Sequence, residues 1–143
     1  MQDTIERSIA ISAPLDRVWD LVTEPGWWVP TDEPVQAERK PGSVVVRESE
    51  KWGRFPVEVV DLKPKTYAAF RWASTFPGAE LETGKTTLIE FTLEPGTDAV
   101  TVSVRESGFA GLDATPEQKS QGFESNTDGW RMELDSLRTR AED

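Results

Sequence analysis

Few side chains in this chain can carry acid–base or nucleophilic chemistry, because it contains neither histidine nor cysteine. Histidine is the commonest general base and metal ligand, and cysteine supplies the thiolates of zinc sites and catalytic thiols. Ser-His-Asp and Cys-His catalytic arrangements are therefore excluded, and we predict no catalytic residue, metal or cofactor. Any proton transfer would fall to carboxylates, lysines or the single tyrosine, Tyr67.

Among the carboxylates, Glu106 has the sequence context most typical of an internal polar group. It continues the alternation of valines across residues 100–104, which predicts that it points inward at the end of a strand. An inward carboxylate would have a raised pKa and would serve as a hydrogen-bonding anchor or a base. The alternative is that the strand has already ended, which would leave Glu106 in solvent or paired with Arg105 or Arg131.

Three other polar residues are weaker candidates for an internal site. Glu48 shares an alternation with the valines before it, yet solvation is the simpler expectation for this carboxylate. Arg71 and Tyr67 lie on the strand side opposite Phe70 and Trp72, which predicts an outward position for both. We therefore expect Arg71 to be a surface charge and Tyr67 to have no role in a cavity.

The chain is strongly acidic, with 26 acidic and 16 basic residues among 143 and a formal net charge of -10. Such a charge repels phosphate backbones and favours solubility, so nucleic acid is not an expected partner. No apolar run reaches the roughly 18 residues of a membrane span, and the first residues lack the basic start and apolar stretch of a signal peptide. We therefore expect a cytoplasmic protein.

Hydrophobic periodicity predicts a strand, a short helix, five further strands and one long helix. The first strand is TIERSIAIS (4–12), and the short helix begins near Pro14 and ends at Pro25-Gly26. The five further strands are predicted over residues 43–49, 55–62, 66–74, 84–95 and 98–107. An antiparallel sheet curled around the last helix would bury both apolar faces, which predicts an α+β fold in a single domain, 1–143.

The long helix is predicted from about Thr115 to Ala141. Its apolar stripe recurs at helical spacing and comprises Phe123, Trp130, Leu134, Leu137 and Ala141. The residues expected to face outward are Arg131, Glu133, Asp135 and Arg138. Gly122 and Gly129 each weaken a helix by up to about 1 kcal/mol relative to alanine. They therefore mark either a bend or a place where something packs close to the backbone.

Four phrases, in their order along the chain, resemble the START-like, or SRPBCC, superfamily, and within it the branch related to the activator of the heat-shock-protein-90 ATPase (Aha-type domains). They are IERSIAISAPLDRVWDLVTEPG (5–26), FPVEVVDLKPKTYAAFRWA (55–73), RESGF (105–109) and GWRMELDSL (129–137). The resemblance implies a helix-grip fold, in which a curved antiparallel sheet wraps around the long C-terminal helix and leaves a cavity between them. Relatives in the superfamily include lipid carriers, polyketide cyclases and co-chaperone domains.

Aromatic side chains supply most of the predicted site, since the chain has six tryptophans and six phenylalanines. Trp27 and Trp28 follow the first helix, where this fold would place a cavity mouth. Because adjacent side chains diverge, we expect Trp28 inward at the mouth and Trp27 partly exposed, with the reverse assignment open. Trp52, in a predicted loop, is expected to act as a gate. The predicted ligand-binding residues are Trp28, Trp52, Phe70, Trp72, Phe91, Glu106, Phe109 and Trp130.

Three functions follow from the residues and the resemblance together. The first is binding of a hydrophobic small molecule, lipid- or polyketide-like, in the cavity between the curved sheet and the C-terminal helix, with Glu106 as the polar anchor. The second is a protein-interaction or co-chaperone-like role in the stress response, in which the chain would dock on a protein partner. The third is a cyclase-type reaction that uses a carboxylate as acid or base. Either a monomer or a homodimer is compatible with all three.

Overall fold

The computed structural model of the protein describes residues 2–76 and 78–143. Within those residues, six strands and two helices follow one another in the predicted order. They are β1 (Thr4–Ile11), α1 (Leu15–Val22), β2 (Val44–Ser49), β3 (Gly53–Lys63), β4 (Tyr67–Trp72), β5 (Thr87–Pro95), β6 (Val100–Ser107) and α2 (Pro116–Glu142). No helix in this part of the chain is long and apolar enough to cross a membrane.

All six strands form one antiparallel sheet in the order β1-β6-β5-β4-β3-β2. The strands from β2 to β6 are sequential neighbours, and β1 pairs with β6, so β1 and β2 form the two edges. The register of β3 against β4 shifts between Val59 and Asp61, a bulge of the kind that bends a strand. Helix α2 packs on this sheet nearest β1 and also contacts α1. The predicted α+β helix-grip fold is confirmed.

The inner face of the sheet is apolar because alternate residues of each strand point toward α2. On β5 and β6 the buried inner residues are Thr87, Ile89, Phe91, Leu93, Val100, Val102, Val104 and Glu106. The predicted inward position of Glu106 is therefore correct, and its side chain is 0% exposed. On β2 the buried residues are Val45, Arg47 and Ser49, so Glu48 is exposed, as expected.

Both ends of α2 are fixed by specific hydrogen bonds. At the N-terminus, Thr115 forms a capping box with Gln118, in which each side chain bonds the backbone N–H of the other residue. At the C-terminus, Arg17 of α1 donates from Nε to the carbonyl oxygen of Ala141 at 2.7 Å and from Nη2 to that of Arg140 at 2.8 Å. A cation at this end also complements the helix dipole. These bonds set the position of α2 along the sheet.

The two adjacent tryptophans lie in the segment Thr23–Val29, which we call the aromatic loop. Trp27 is 6% exposed and Trp28 is 5% exposed, so the expectation that Trp27 is partly exposed is wrong. The loop is not extended, because the N–H of Trp27 bonds the carbonyl of Glu24 and the N–H of Val29 bonds that of Gly26. In such a tight turn, neighbouring side chains need not diverge as they do on a strand, and both rings enter the core.

Arg47 of β2 anchors the aromatic loop to the sheet through two hydrogen bonds. This buried guanidinium donates from Nε to the carbonyl of Val29 at 2.9 Å and from Nη1 to that of Pro25 at 3.1 Å. Burial lowers the pKa of Arg47, while the nearby charge of Glu24 opposes that change. An arginine therefore satisfies carbonyl groups that would otherwise be buried without donors.

Replacing Gly26 with alanine tests the contact between the aromatic loop and Arg47. The Gly26 backbone has φ +74°, and an added Cβ would lie 2.4 Å from Arg47 Cδ. Gly42 is the matched control, since its φ is +91° but an added Cβ meets nothing within 4 Å. We expect G42A to lower the free energy of unfolding by about 1–2 kcal/mol from backbone strain alone. We expect G26A to lower it by about 2 kcal/mol more, because Arg47 loses its carbonyl partners. Urea denaturation measures both values, and equal losses would contradict the role given to Arg47.

Candidate functional site

A pocket of about 350 Å³ opens between the middle of α2 and one end of the sheet. The aromatic loop, the turn between β2 and β3, and the end of β4 form its other walls. Its aromatic lining consists of Trp28, Trp52, Phe55, Trp72 and Trp130. Its polar lining consists of Ser74, Ser125, Asn126 and Glu133. The pocket therefore combines an aromatic wall with a polar side on α2.

Trp28 lies at the centre of the aromatic wall. Its ring centroid is 5.6 Å from that of Trp72 and 5.6 Å from that of Trp130. It also contacts Phe70 at 5.3 Å and Phe91 at 5.7 Å, and both phenylalanines are 0% exposed. The inner rings thus fill part of the space that the sequence predicts as a cavity, and the remaining pocket is bordered by Trp28, Trp72 and Trp130 together with Trp52 and Phe55.

Glu106 lies beneath this wall and holds two of its tryptophans. Its Oε2 accepts from Trp72 Nε1 at 2.8 Å and from Thr87 Oγ1 at 2.5 Å. Its Oε1 accepts from Trp130 Nε1 at 2.8 Å and from Asn126 Nδ2 at 3.1 Å. The alternative in which Glu106 is solvated or paired with Arg105 or Arg131 is therefore wrong. One carboxylate joins β4, β5, β6 and α2.

Burial raises the pKa of Glu106, and the hydrogen bonds from Thr87, Trp72, Trp130 and Asn126 oppose this rise without overcoming it. The indole and amide N–H groups can only donate, whereas the hydroxyl of Thr87 can also accept. A protonated Glu106 therefore has one partner able to accept a hydrogen bond from its O–H, the Thr87 hydroxyl. The site accommodates both forms of the carboxyl group without breaking the bonds to the tryptophans.

Asn126 and Glu133 complete the polar side of the pocket. Asn126 donates to Ser74 Oγ at 2.9 Å as well as to Glu106, which fixes its amide group at the pocket wall. Glu133 is half-buried, so the expectation that it faces outward is wrong. Burial raises the pKa of Glu133, and the positive charge of Arg140 partly offsets that rise. Among the described residues, Glu133 has no hydrogen-bond or ion-pair partner.

The structure brings four of the predicted site residues, Trp28, Trp52, Trp72 and Trp130, to the pocket lining. Trp52 lies in the β2–β3 turn and is 55% exposed at the rim. Phe70, Phe91 and Glu106 are buried behind the lining. Phe109 does not line the pocket and instead packs against Phe123, with ring centroids 5.3 Å apart. Tyr67 lies outside the pocket and donates to Glu90, as its outward position predicts.

Apart from Trp130, the helical residues of the pocket are the ones that the sequence pattern did not identify as site residues. Asn126, Gly129 and Glu133 fall on one face of α2 beside Trp130, at spacings of three and four. That spacing was visible in the sequence, but the polar members looked like the outer face of the helix. An added Cβ at Gly129 would meet nothing within 4 Å, whereas at Gly122 it would lie 2.7 Å from Thr75 Oγ1. Gly122 thus marks close packing, and Gly129 leaves the pocket open.

Residues 12–142 match the family described as "Activator of Hsp90 ATPase homolog 1-like protein". The match covers nearly the whole chain. The chain belongs to this family. The resemblance to Aha-type domains of the START-like superfamily is thereby confirmed. No curated protein matches the chain in sequence.

Solved structures with the same fold include an Aha1 protein and a protein from a biosynthetic locus. The Aha1 dimer of Colwellia psychrerythraea is 19% identical with a TM-score of 0.72, covering 99% of this chain and 97% of its own. DynU16, a protein of the dynemicin biosynthetic locus, is 22% identical with a TM-score of 0.70 over 97% of this chain, which spans 47% of DynU16. CalU16 of Micromonospora echinospora is 16% identical with a TM-score of 0.62, covering 94% of this chain and 73% of its own. At these identities the likeness shows the fold alone.

Replacing Glu106 with glutamine tests what the buried carboxylate contributes to the stability of the fold, because the change alters its hydrogen bonds and removes its ability to titrate. In E106Q the side-chain NH2 group would face one of the indole N–H groups, so two donors would meet and one hydrogen bond would be lost. We therefore expect E106Q to lower the free energy of unfolding by about 1–3 kcal/mol at pH 5. Folding raises the pKa of Glu106, so the folded state keeps the proton to higher pH than the unfolded chain does. The wild-type contribution of this residue therefore falls as pH rises above the ordinary glutamate value of about 4.3.

We accordingly expect the stability difference between wild type and E106Q to shrink from pH 5 to pH 8. Urea denaturation at several pH values measures it, and E33Q, at an exposed glutamate, is the control that should show no such trend. A difference that grows with pH would mean that the pKa of Glu106 is not raised by folding.

Proposed function

We propose that this chain binds a hydrophobic, lipid- or polyketide-like small molecule in the pocket between the sheet and α2. The observation that carries the proposal is the aromatic wall, in which five rings border one opening of about 350 Å³. Ligand pockets typically have such an apolar lining, with a few placed polar groups and volumes of about 300–1,000 Å³. Asn126 and Ser74 would be the polar anchors of this pocket, because Asn126 is already held in place by Glu106.

The fold of the chain supports the same proposal. The pocket lies between the gripped helix and the sheet, where the START-like resemblance places a ligand cavity. The structural likeness to DynU16, which comes from the dynemicin biosynthetic locus, is compatible with a role in small-molecule chemistry. An acid–base reaction in this pocket would have to use Glu133, because Glu106 is covered by the tryptophans. Binding is therefore better supported than catalysis.

A protein-interaction role is the second candidate, and one observation favours it. β2 is an edge strand of the sheet, and its outer face presents Val44 and Val46, which are 55% and 37% exposed. Exposed apolar side chains on an edge strand favour pairing with another chain. This agrees with the family name, which refers to an activator of a chaperone, and with the dimer of the Colwellia protein.

Filling the pocket from Gly129 tests the binding proposal. We expect intrinsic tryptophan fluorescence of the wild type to change saturably with at least one member of a panel of fatty acids, flavonoids and polyketide-like aromatics. G129L should weaken that binding at least about tenfold, since its side chain enters the open space above Gly129. G129A should raise the free energy of unfolding by up to about 1 kcal/mol, because alanine favours the helix interior.

S136L is the matched control, because Ser136 is exposed and lies outside the pocket lining, about two turns of α2 beyond Gly129. It should bind the panel ligand as the wild type does. Wild-type protein that is folded but responds to no ligand of the panel would overturn the proposal. Unchanged binding by a folded G129L would place the ligand elsewhere.

A further inference from the structure

We propose that the ligand of this pocket is an organic cation, in which an amine or quaternary ammonium group is attached to an apolar body. This inference rests on the proposed function and specifies the ligand class of the same site. It distinguishes the ligand from a fatty acid or another carboxylate, and from a neutral hydrocarbon. Three features of the pocket support it: the type and arrangement of its rings, the hydrogen bonds of two indoles to Glu106, and the charges at the lining.

The first feature is the type and arrangement of the rings. The faces of tryptophan, tyrosine and phenylalanine attract cations, and tryptophan does so most strongly. Four of the five rings at the pocket are tryptophans. Trp28 stands at 88° to Trp72 and at 50° to Trp130, and Phe55 is tilted 47° from Trp72. Rings at such angles form the walls of a box, which is how aromatic residues enclose quaternary ammonium groups.

The second feature is the hydrogen bonding of the indoles. Trp72 and Trp130 both donate their Nε1–H groups to Glu106 at 2.8 Å. Hydrogen-bonded groups polarise one another in a low-dielectric interior. An indole that donates to a carboxylate therefore carries more electron density over its ring, and its attraction for a cation increases. Two walls of the pocket are enhanced in this way.

The third feature is the charge at the lining. Among the described residues, the pocket lining contains one carboxylate, Glu133, and no arginine or lysine. Glu133 has no partner within this part of the chain, so its carboxylate is available to a ligand ammonium group. A ligand carboxylate inside the pocket would meet Glu133 with no compensating cation among the lining residues, and such like-charge contacts are unfavourable. The net charge of -10 also attracts cations to the protein as a whole.

The cation–π contact between Lys51 and Trp52 shows that an aromatic ring at the pocket rim binds a cation. The ammonium Nζ of Lys51 lies 5.0 Å from the centroid of Trp52, within cation–π distance. This lysine therefore occupies one face of the rim tryptophan and competes with any ligand cation for it. Removing its charge should strengthen the binding of a cationic ligand, which is a consequence that neither a neutral nor an anionic ligand shares in the same direction.

Three matched probes test the inference: benzyltrimethylammonium, its neutral carbon isostere neopentylbenzene, and the anion 3-phenylpropanoate. Titrations followed by tryptophan fluorescence and by NMR should give at least about tenfold tighter binding of the cation than of the isostere, with the anion weakest. E133Q should weaken the cation about fivefold and leave the isostere unchanged, while K51Q should strengthen the cation about twofold. E94Q, at an exposed glutamate of β5, removes the same charge away from the pocket and should change nothing.

The outcomes separate this inference from the function on which it rests. If the isostere or the anion binds as tightly as the cation, the charge preference is overturned and the pocket remains a binding site for apolar molecules. If none of the three probes binds but a ligand of the apolar panel does, the cation is likewise rejected. If neither the probes nor the panel bind to folded protein, both proposals fail. Cation binding that E94Q weakens as much as E133Q would reflect net charge, which also overturns the inference.

Discussion

The buried carboxylate of Glu106 is the interaction on which the arrangement of this molecule most depends. A carboxylate without a neighbouring cation is costly to bury, and here four donors from β4, β5 and α2 meet it. Those donors are held in turn, since Asn126 also donates to Ser74 and the rings of Trp72 and Trp130 pack against Trp28. Glu106 thus sets how α2 lies against the inner face of the sheet. The same bonds determine which ring faces border the pocket.

Arg47 performs the corresponding task for the aromatic loop. Two carbonyl groups of that loop are turned into the core, and the guanidinium supplies both with donors. Trp27 and Trp28 can then be buried together, although their own Nε1–H groups have no acceptor among the described residues. An unsatisfied buried donor costs about 1–3 kcal/mol, which the burial of two large rings offsets. The pocket wall therefore depends on two buried ionisable residues. Glu106 accepts hydrogen bonds from Trp72 and Trp130, and Arg47 donates hydrogen bonds to the aromatic loop.

The sequence predicted what depends on local periodicity and missed what depends on tertiary contact. Alternation along β6 correctly placed Glu106 inward, because each strand residue has only two sides to choose from. The same logic failed for Trp27, since the loop is a hydrogen-bonded turn and side chains there do not alternate. Glu133 was assigned to the outer face because its charge resembles a solvated residue. Its half-buried position follows from the pocket wall that it forms with Trp130, a tertiary contact that no spacing rule reveals. The partners of Glu106 were equally hidden, since they come from three separate segments.

Two local costs of the fold meet at the same place. Gly129, in the middle of α2, weakens the helix, and burial of the Glu106 carboxylate raises the energy of the folded state. Both residues belong to one pocket, since Gly129 lines it and Glu106 holds two of its rings from behind. An apolar residue at either position would be expected if packing were the only requirement. Sequences tend to depart from local rules at functional sites, where the departure serves binding. Here Gly129 keeps the pocket open, and Glu106 polarises two rings that border the pocket. Both departures from local rules therefore act on the same volume, which supports the assignment of this pocket as the binding site.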